Sequence, residues 1–130
     1  MAKKNMRMGA VQFRIMEVLW KRERAKALEI TGELTSPRKP VAHSTVQTLL
    51  RKLMNKGAVR YDKKDRTFVF YPLVTREEVV CSSMRDLLSR MFGGSPYELV
   101  AHLIREDMVS RGELSEIKKL ITQHERAKKK

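Results

Sequence analysis

From residue 10 onward the apolar side chains recur at helical spacing. Val11, Ile15, Val18 and Leu19 fall at i, i+4, i+7 and i+8, and Phe13, Met16 and Trp20 widen that side, which predicts a first, core-forming helix. A second, shorter helix is expected over residues 27–34, stopped by Ser36-Pro37-Arg38-Lys39-Pro40, whose prolines cannot continue it. Between Ser44 and Asn55 the pattern is cleanest. Val46, Leu49, Leu50, Leu53 and Met54 form one apolar stripe. The opposite side holds Ser44, Thr48, Arg51 and Asn55, with Gln47 and Lys52 on its flanks, and Gly57 supplies a C-terminal cap. Two β-type runs follow, 58–61 and 66–71, separated by Asp62-Lys63-Lys64-Asp65, which predicts a hairpin with a basic tip.

Beyond Pro72 three sites match a capping box, in which a Ser or Thr and a Glu three residues later satisfy each other's free backbone N–H groups: Thr75 with Glu78, Ser95 with Glu98, and Ser110 with Glu113. The first of the helices they open, over 76–92, repeats Val80, Met84, Leu87 and Met91 on one face and ends at Gly93-Gly94. The next carries Pro96 at its first position and is expected to bury Leu99, Val100, Leu103 and Ile104; the last groups Leu114, Ile117, Leu120 and Ile121. These faces are too extensive to cover one another in a chain of 130 residues. A homodimer is expected, with Val80, Met84, Leu87, Met91, Leu99, Leu103, Leu114, Ile117, Leu120 and Ile121 at its interface; the competing arrangement is packing against the N-terminal half.

The expected fold is therefore mainly α with a small β-hairpin wing. Residues 1–73 form a winged helix-turn-helix domain, 74–125 a helical dimerisation domain, and 126–130 a disordered basic tail.

Charge narrows the function class. The chain carries a formal net charge of +13, and residues 1–71 hold 17 Lys and Arg against 6 Asp and Glu, whereas 72–130 hold 11 against 9. Such a bias calls for a polyanionic partner, with nucleic acid the commonest and a membrane surface the rival. The basic start is followed by no apolar stretch of secretory or spanning length, so a cytoplasmic protein without membrane insertion is expected. Cys81 stands alone and is read as an inert packing thiol. His43, His102 and His124 are isolated, and there is no Ser, His and Asp set and no phosphate-cradling glycine loop. No catalysis, metal or cofactor is expected.

Three helices followed by a hairpin place the third helix in the major groove and the hairpin tip along the backbone. Arg51 can make paired hydrogen bonds to a guanine edge and Gln47 to adenine, while Thr45 or Thr48 offers a hydroxyl or meets a thymine methyl. Lys63, Lys64 and Arg66 on the hairpin, with Lys3, Lys4 and Arg7 at the start, would contact phosphate and position without specifying. A polar helix face with two basic residues is, by itself, what a solvated helix looks like. Its place between a Pro-rich turn and a basic hairpin, inside the charged half, favours DNA. A non-specific architectural nucleic-acid binder and a winged helix used for protein docking are the alternatives.

Ala42-His43-Ser44-Thr45-Val46-Gln47-Thr48-Leu49-Leu50-Arg51-Lys52-Leu53, then Lys56-Gly57, resembles the reading helix of the BlaI/MecI/CopY transcriptional repressors. Met16-Glu17-Val18-Leu19-Trp20 is similar to that family's first helix, Thr67 to Leu73 to its wing strand, and Phe92-Gly93-Gly94-Ser95 to its junction into the dimer helices. The resemblance implies a repressor that occupies an inverted-repeat operator as a homodimer. It puts base reading on Ser44, Gln47, Thr48 and Arg51, and phosphate contact on Thr45 and Lys52. His43 stands where many relatives have an aromatic, and Ser44 where they have Thr. The cysteine cluster of the copper-responsive members is absent, which argues against copper sensing. Penicillinase-type members are inactivated by cleavage at an Asn-Phe bond, so the resemblance adds a membrane sensor protease as a partner. The corresponding place here is near His102-Leu103, a departure from that pattern.

Overall fold

The computed structural model describes residues 6–129. Its elements in chain order are α1 (Ala10–Arg22), β1 (Ala25–Lys26), α2 (Ala27–Leu34), α3 (His43–Lys56), β2 (Val59–Lys64), β3 (Thr67–Pro72), α4 (Arg76–Met91), α5 (Pro96–Arg105) and α6 (Arg111–Lys128). They fall into two compact units, with the boundary between Asp86 and Leu87.

In the first unit the apolar stripes meet as their spacing requires. Ile15, Met16 and Leu19 of α1, Ile30 and Leu34 of α2, and Val46, Leu50 and Leu53 of α3 close one core, completed by Val59, Phe70 and Val79. Gly57 ends α3 in the left-handed region at φ 86°, and its N–H donates to the Met54 carbonyl while Ala58 N–H donates to Leu53 O at 2.9 Å. That pair of bonds satisfies the last free carbonyls of the helix and turns the chain into β2.

The sheet is three-stranded, in the order β1-β3-β2, and antiparallel throughout. β1 escaped the sequence pattern because a two-residue strand has no period; it pairs Ala25 with Phe70 and Lys26 with Val69. The hairpin is also longer than expected. Pairing runs out to Lys64 opposite Thr67, so Asp62, Lys63 and Lys64 belong to a strand and the turn is Asp65-Arg66 alone. Both turn residues have positive φ, 50° and 67°, as a tight two-residue hairpin needs. Neither is the glycine that usually marks such a turn, which is why the sequence placed the loop too early.

The first unit also reaches past residue 73, where a domain boundary was expected. Val79 of α4 is fully buried, Met6 N–H donates to Ser82 Oγ at 2.8 Å, and Arg7 pairs with Asp86 at 3.3 Å. Trp20 Nε1–H donates to the Val74 carbonyl at 2.8 Å and fixes the path from β3 into α4. Cys81, read as a packing thiol because it stands alone, is instead exposed on α4.

The entry to α2 is held by a carboxylate. Lys26 N–H donates to Glu29 Oε1 at 2.8 Å, and this bond, helped by the nearby Arg22, holds the Glu29 carboxyl below its ordinary range despite some desolvation. Arg22 bridges Glu29 at 2.6 Å and Glu33 at 2.7 Å, and the hydrogen bond to Glu33 raises its own pKa.

The second unit contains the end of α4, then α5 and α6. Ser95 Oγ accepts Glu98 N–H, and Ser110 and Glu113 cap α6 reciprocally, as Thr75 and Glu78 cap α4. The Phe92 and His102 rings meet edge to face at 5.9 Å. No residue of α5 or α6 is buried. Val100 and Ile104, expected inside, are 45% and 47% exposed, because no second layer within this unit covers them. α6 continues to Lys128, so residues 126–128 are helical and not part of a disordered tail. Arg126 and Lys128 in its last turn suit the negative end of the helix dipole. Among the described residues no helix is long and apolar enough to cross a membrane.

Leu50→Ala, which empties a site 1% exposed at the centre of the core, is expected to cost about 2–5 kcal/mol in denaturant unfolding. Because the Glu29 pKa is depressed in the folded state, its contribution is present above the unfolded carboxylate pKa and lost as pH falls through the folded value. Glu29→Gln should therefore lower thermal stability at neutral pH and narrow its gap to the parent protein in acid; an unchanged gap would remove this role.

Candidate nucleic-acid interface

α3 is two-sided. Val46, Leu50 and Leu53 are at most 1% exposed, while Ser44, Thr45, Gln47, Thr48, Arg51, Lys52 and Asn55 are all exposed on the other side. The start of α3 is tied to α2 by a bond between His43 Nδ1 and Thr31 Oγ1 at 2.8 Å. Thr31 already donates its only hydroxyl proton to the Ala27 carbonyl at 2.9 Å, so His43 must be the donor, with its proton on Nδ1. This bond adds a polar tie to the apolar packing between the two helices of the helix-turn-helix. Arg14 caps the end of α2 by donating to the Leu34 carbonyl, and Thr35 Oγ1–H donates to the Val41 carbonyl, which braces the Pro-rich turn from both ends.

The outward residues divide between two flanks. Ser44, Thr45, Thr48 and Lys52 surround a shallow depression on one flank. Gln47 and Arg51, four residues apart and so stacked on one helix face, turn toward the hairpin and line a cleft with Lys26 and Arg66. All four residues assigned to base reading are thus exposed on α3, but in two pairs and not as one cluster.

On the hairpin, Lys63 and Lys64 are exposed on β2 and, as neighbours in a strand, point to opposite faces. Lys63 Nζ sits 5.7 Å from the centre of the Phe68 ring. Arg66 is at the turn. Asp62, one of the two acidic members of the tip, is held by Arg24 at 2.7 Å, and that guanidinium also stacks over Tyr71 at 4.7 Å; the other, Asp65, is exposed in the turn. Arg7 is engaged by Asp86, and its backbone carbonyl accepts from Lys56 Nζ, so the structure gives it an internal bracing role. Lys3 and Lys4 lie outside the described residues.

The electrostatic outcome is one-sided. No Asp or Glu occurs between Glu33 and Asp62, a stretch that includes all of α3 and carries six Lys or Arg. Glu29, Glu33 and Asp62 at its margins are occupied by arginines. Lys26 was not foreseen as part of the interface, since it precedes a helix without any pattern of its own; β1 pairing carries it beside α3. Tyr61 and Phe68 were likewise missed. The signal was there in part, because Phe68 and Phe70 share a face by the period of two, yet Phe70 is buried and Phe68 is 45% exposed where the hairpin runs beyond the core.

A family model described as penicillinase repressor matches residues 8–123. The chain is 28% identical over 129 residues to the penicillinase repressor of Bacillus licheniformis, covering 98% of each protein. It is 22% identical to the methicillin resistance regulatory protein MecI of Staphylococcus aureus, covering 93% of this chain and 98% of that one. Among solved structures, the DNA-binding domain of the repressor BlaI superposes with a TM-score of 0.51 at 30% identity, over 59% of this chain and 93% of that domain.

Replacing Gln47 or Arg51 by Ala is expected to remove about 1–3 kcal/mol of preference for the specific site over random DNA. Lys63→Ala should weaken both alike and flatten the salt slope. Fluorescence anisotropy titrations on both DNAs check this, and equal losses for all three variants would take the reading role away from α3.

Proposed function

This chain belongs to the penicillinase repressor family and is a DNA-binding transcriptional repressor; we propose that it acts in the cytoplasm as a homodimer that blocks a promoter by occupying an inverted-repeat operator. The observation that carries this reading is α3 itself, a helix with Val46, Leu50 and Leu53 of its apolar side fully buried and a carboxylate-free polar side exposed beside a basic hairpin. Ser44, Gln47, Thr48 and Arg51 would read base edges, and Thr45, Lys52, Lys63, Lys64 and Arg66 would hold phosphate.

The second unit supports the dimer. Met91, Leu120 and Ile121 are exposed in it together with Tyr97, Val100, Ile104 and Met108, a load of large apolar side chains that a lone chain leaves in water. A two-fold pairing through α4, α5 and α6 would cover them and space two copies of α3 roughly 34 Å or a multiple apart along the duplex. A membrane sensor protease remains the family-type route to induction. His102-Leu103 lies within α5, so cutting there requires that helix to open.

Selection of bound DNA from a random pool should return a palindrome, preferred over random sequence by a factor of at least about a thousand. Sedimentation at micromolar concentration should show a dimer, and Met91→Glu should shift it to monomer with loss of operator affinity. A monomer with full operator affinity, or a bound pool without symmetry, would overturn the dimeric reading.

A further inference from the structure

We propose that the cleft between α3 and the hairpin binds a small amphipathic anion of the aromatic carboxylate class, and that its occupation excludes DNA from α3. The cleft measures about 630 Å³, within the usual size of small-molecule sites. Its apolar wall is unusual for a surface meant only for phosphate. Leu28, Tyr61 and Phe68 are 72%, 44% and 45% exposed and all line it, over a floor that includes Met54. Neither the core nor a phosphate contact accounts for three large apolar side chains gathered in one concavity. Two of them are already arranged as an aromatic wall, with Tyr61 edge to face on Phe68 at 4.7 Å and tilted against Phe70 at 5.8 Å.

Charge sets the sign of the ligand. Lys26, Arg51 and Arg66 line the same cleft, and none of its lining residues is a carboxylate. Among the described residues neither Arg51 nor Arg66 enters an ion pair, so both guanidinium forks are available to a planar anion. A flat apolar body against Tyr61 and Phe68 with a carboxylate toward the arginines fits both halves of the site. The consequence for DNA rests on the repressor reading above. Gln47 and Arg51 belong to the cleft and to the reading face, so ligand and operator compete for them, and each must weaken the other equally.

The test uses the full chain with naphthoate as the probe and naphthamide as its neutral isostere. Calorimetry on the free protein should show saturable naphthoate binding, with naphthamide about tenfold weaker or worse. Arg66→Gln and Leu28→Ser should each weaken naphthoate by about tenfold while leaving the thermal midpoint unchanged, and Phe68→Ser, which also gives up the Tyr61 edge contact, should weaken it by about as much at a temperature below its own lowered midpoint. Operator anisotropy should show an apparent Kd that rises in proportion to naphthoate concentration. Absence of saturable binding, binding indifferent to all three variants, or binding that leaves operator affinity untouched would each overturn the proposal. Operator affinity lost in Phe68→Ser, with no naphthoate binding by the parent protein, would assign the cleft to the DNA strand itself. Failure of the untreated protein to bind any operator would sink the repressor reading alone, and the titration of the free protein would still decide the site.

Discussion

α3 has to satisfy two incompatible solvents at once. Its inner side carries Val46, Leu50 and Leu53 into the core, and the burial of these three against α1 and α2 is what holds the helix in place and in register. Only then can Ser44, Gln47, Thr48 and Arg51 stay in water without cost to the fold. The neighbouring features serve the same division. His43 donating to Thr31 ties the start of α3 to α2, Gly57 ends the helix, and Trp20 holding the Val74 carbonyl fixes the segment that follows β3 against α1. Disturbing the inner stripe would therefore move all four exposed side chains together, since they share one helix.

The electrostatics follow from which charges the fold uses internally. Arg22 and Arg24 are committed to Glu29, Glu33 and Asp62, and Arg7 to Asp86. These exposed pairs add little stability by themselves. Their effect is to cancel acidic charge at the margins of α3 and leave Arg51, Lys52 and the hairpin cations with a positive field opposed locally only by Asp65. A duplex approaching that face meets a net attraction, with Asp65 in the hairpin turn as the remaining exposed carboxylate beside it, and such a field favours fast encounter before any base is read.

The second unit has the opposite difficulty. Its helices are well capped and regular, but capping satisfies backbone groups and buries nothing. No residue of α5 or α6 is fully buried within a single chain, so much of their apolar surface stays in water there. In the homodimer proposed above, dimer formation and folding of this unit would be one process, and the spacing of the two α3 helices along DNA would be inherited from it.

Helix periods, capping pairs and charge bias are local properties, and the sequence by itself determined the six helices, the inner and outer sides of α3, and the concentration of positive charge in the first half. What it left open were matters of pairing between distant segments. β1 exists only because Ala25 and Lys26 meet Phe70 and Val69, and the hairpin turn moved to Asp65-Arg66 because strand pairing continued past the residues that looked like a loop. The first unit reaches to Asp86 because Val79 finds the core, a contact that no periodicity on α4 could single out from Val80 beside it. Arg7 became a brace and Lys26 a member of the interface for the same reason. A side chain's role depends on what lies across from it, and that partner is chosen by packing and strand register, not by neighbours in the chain.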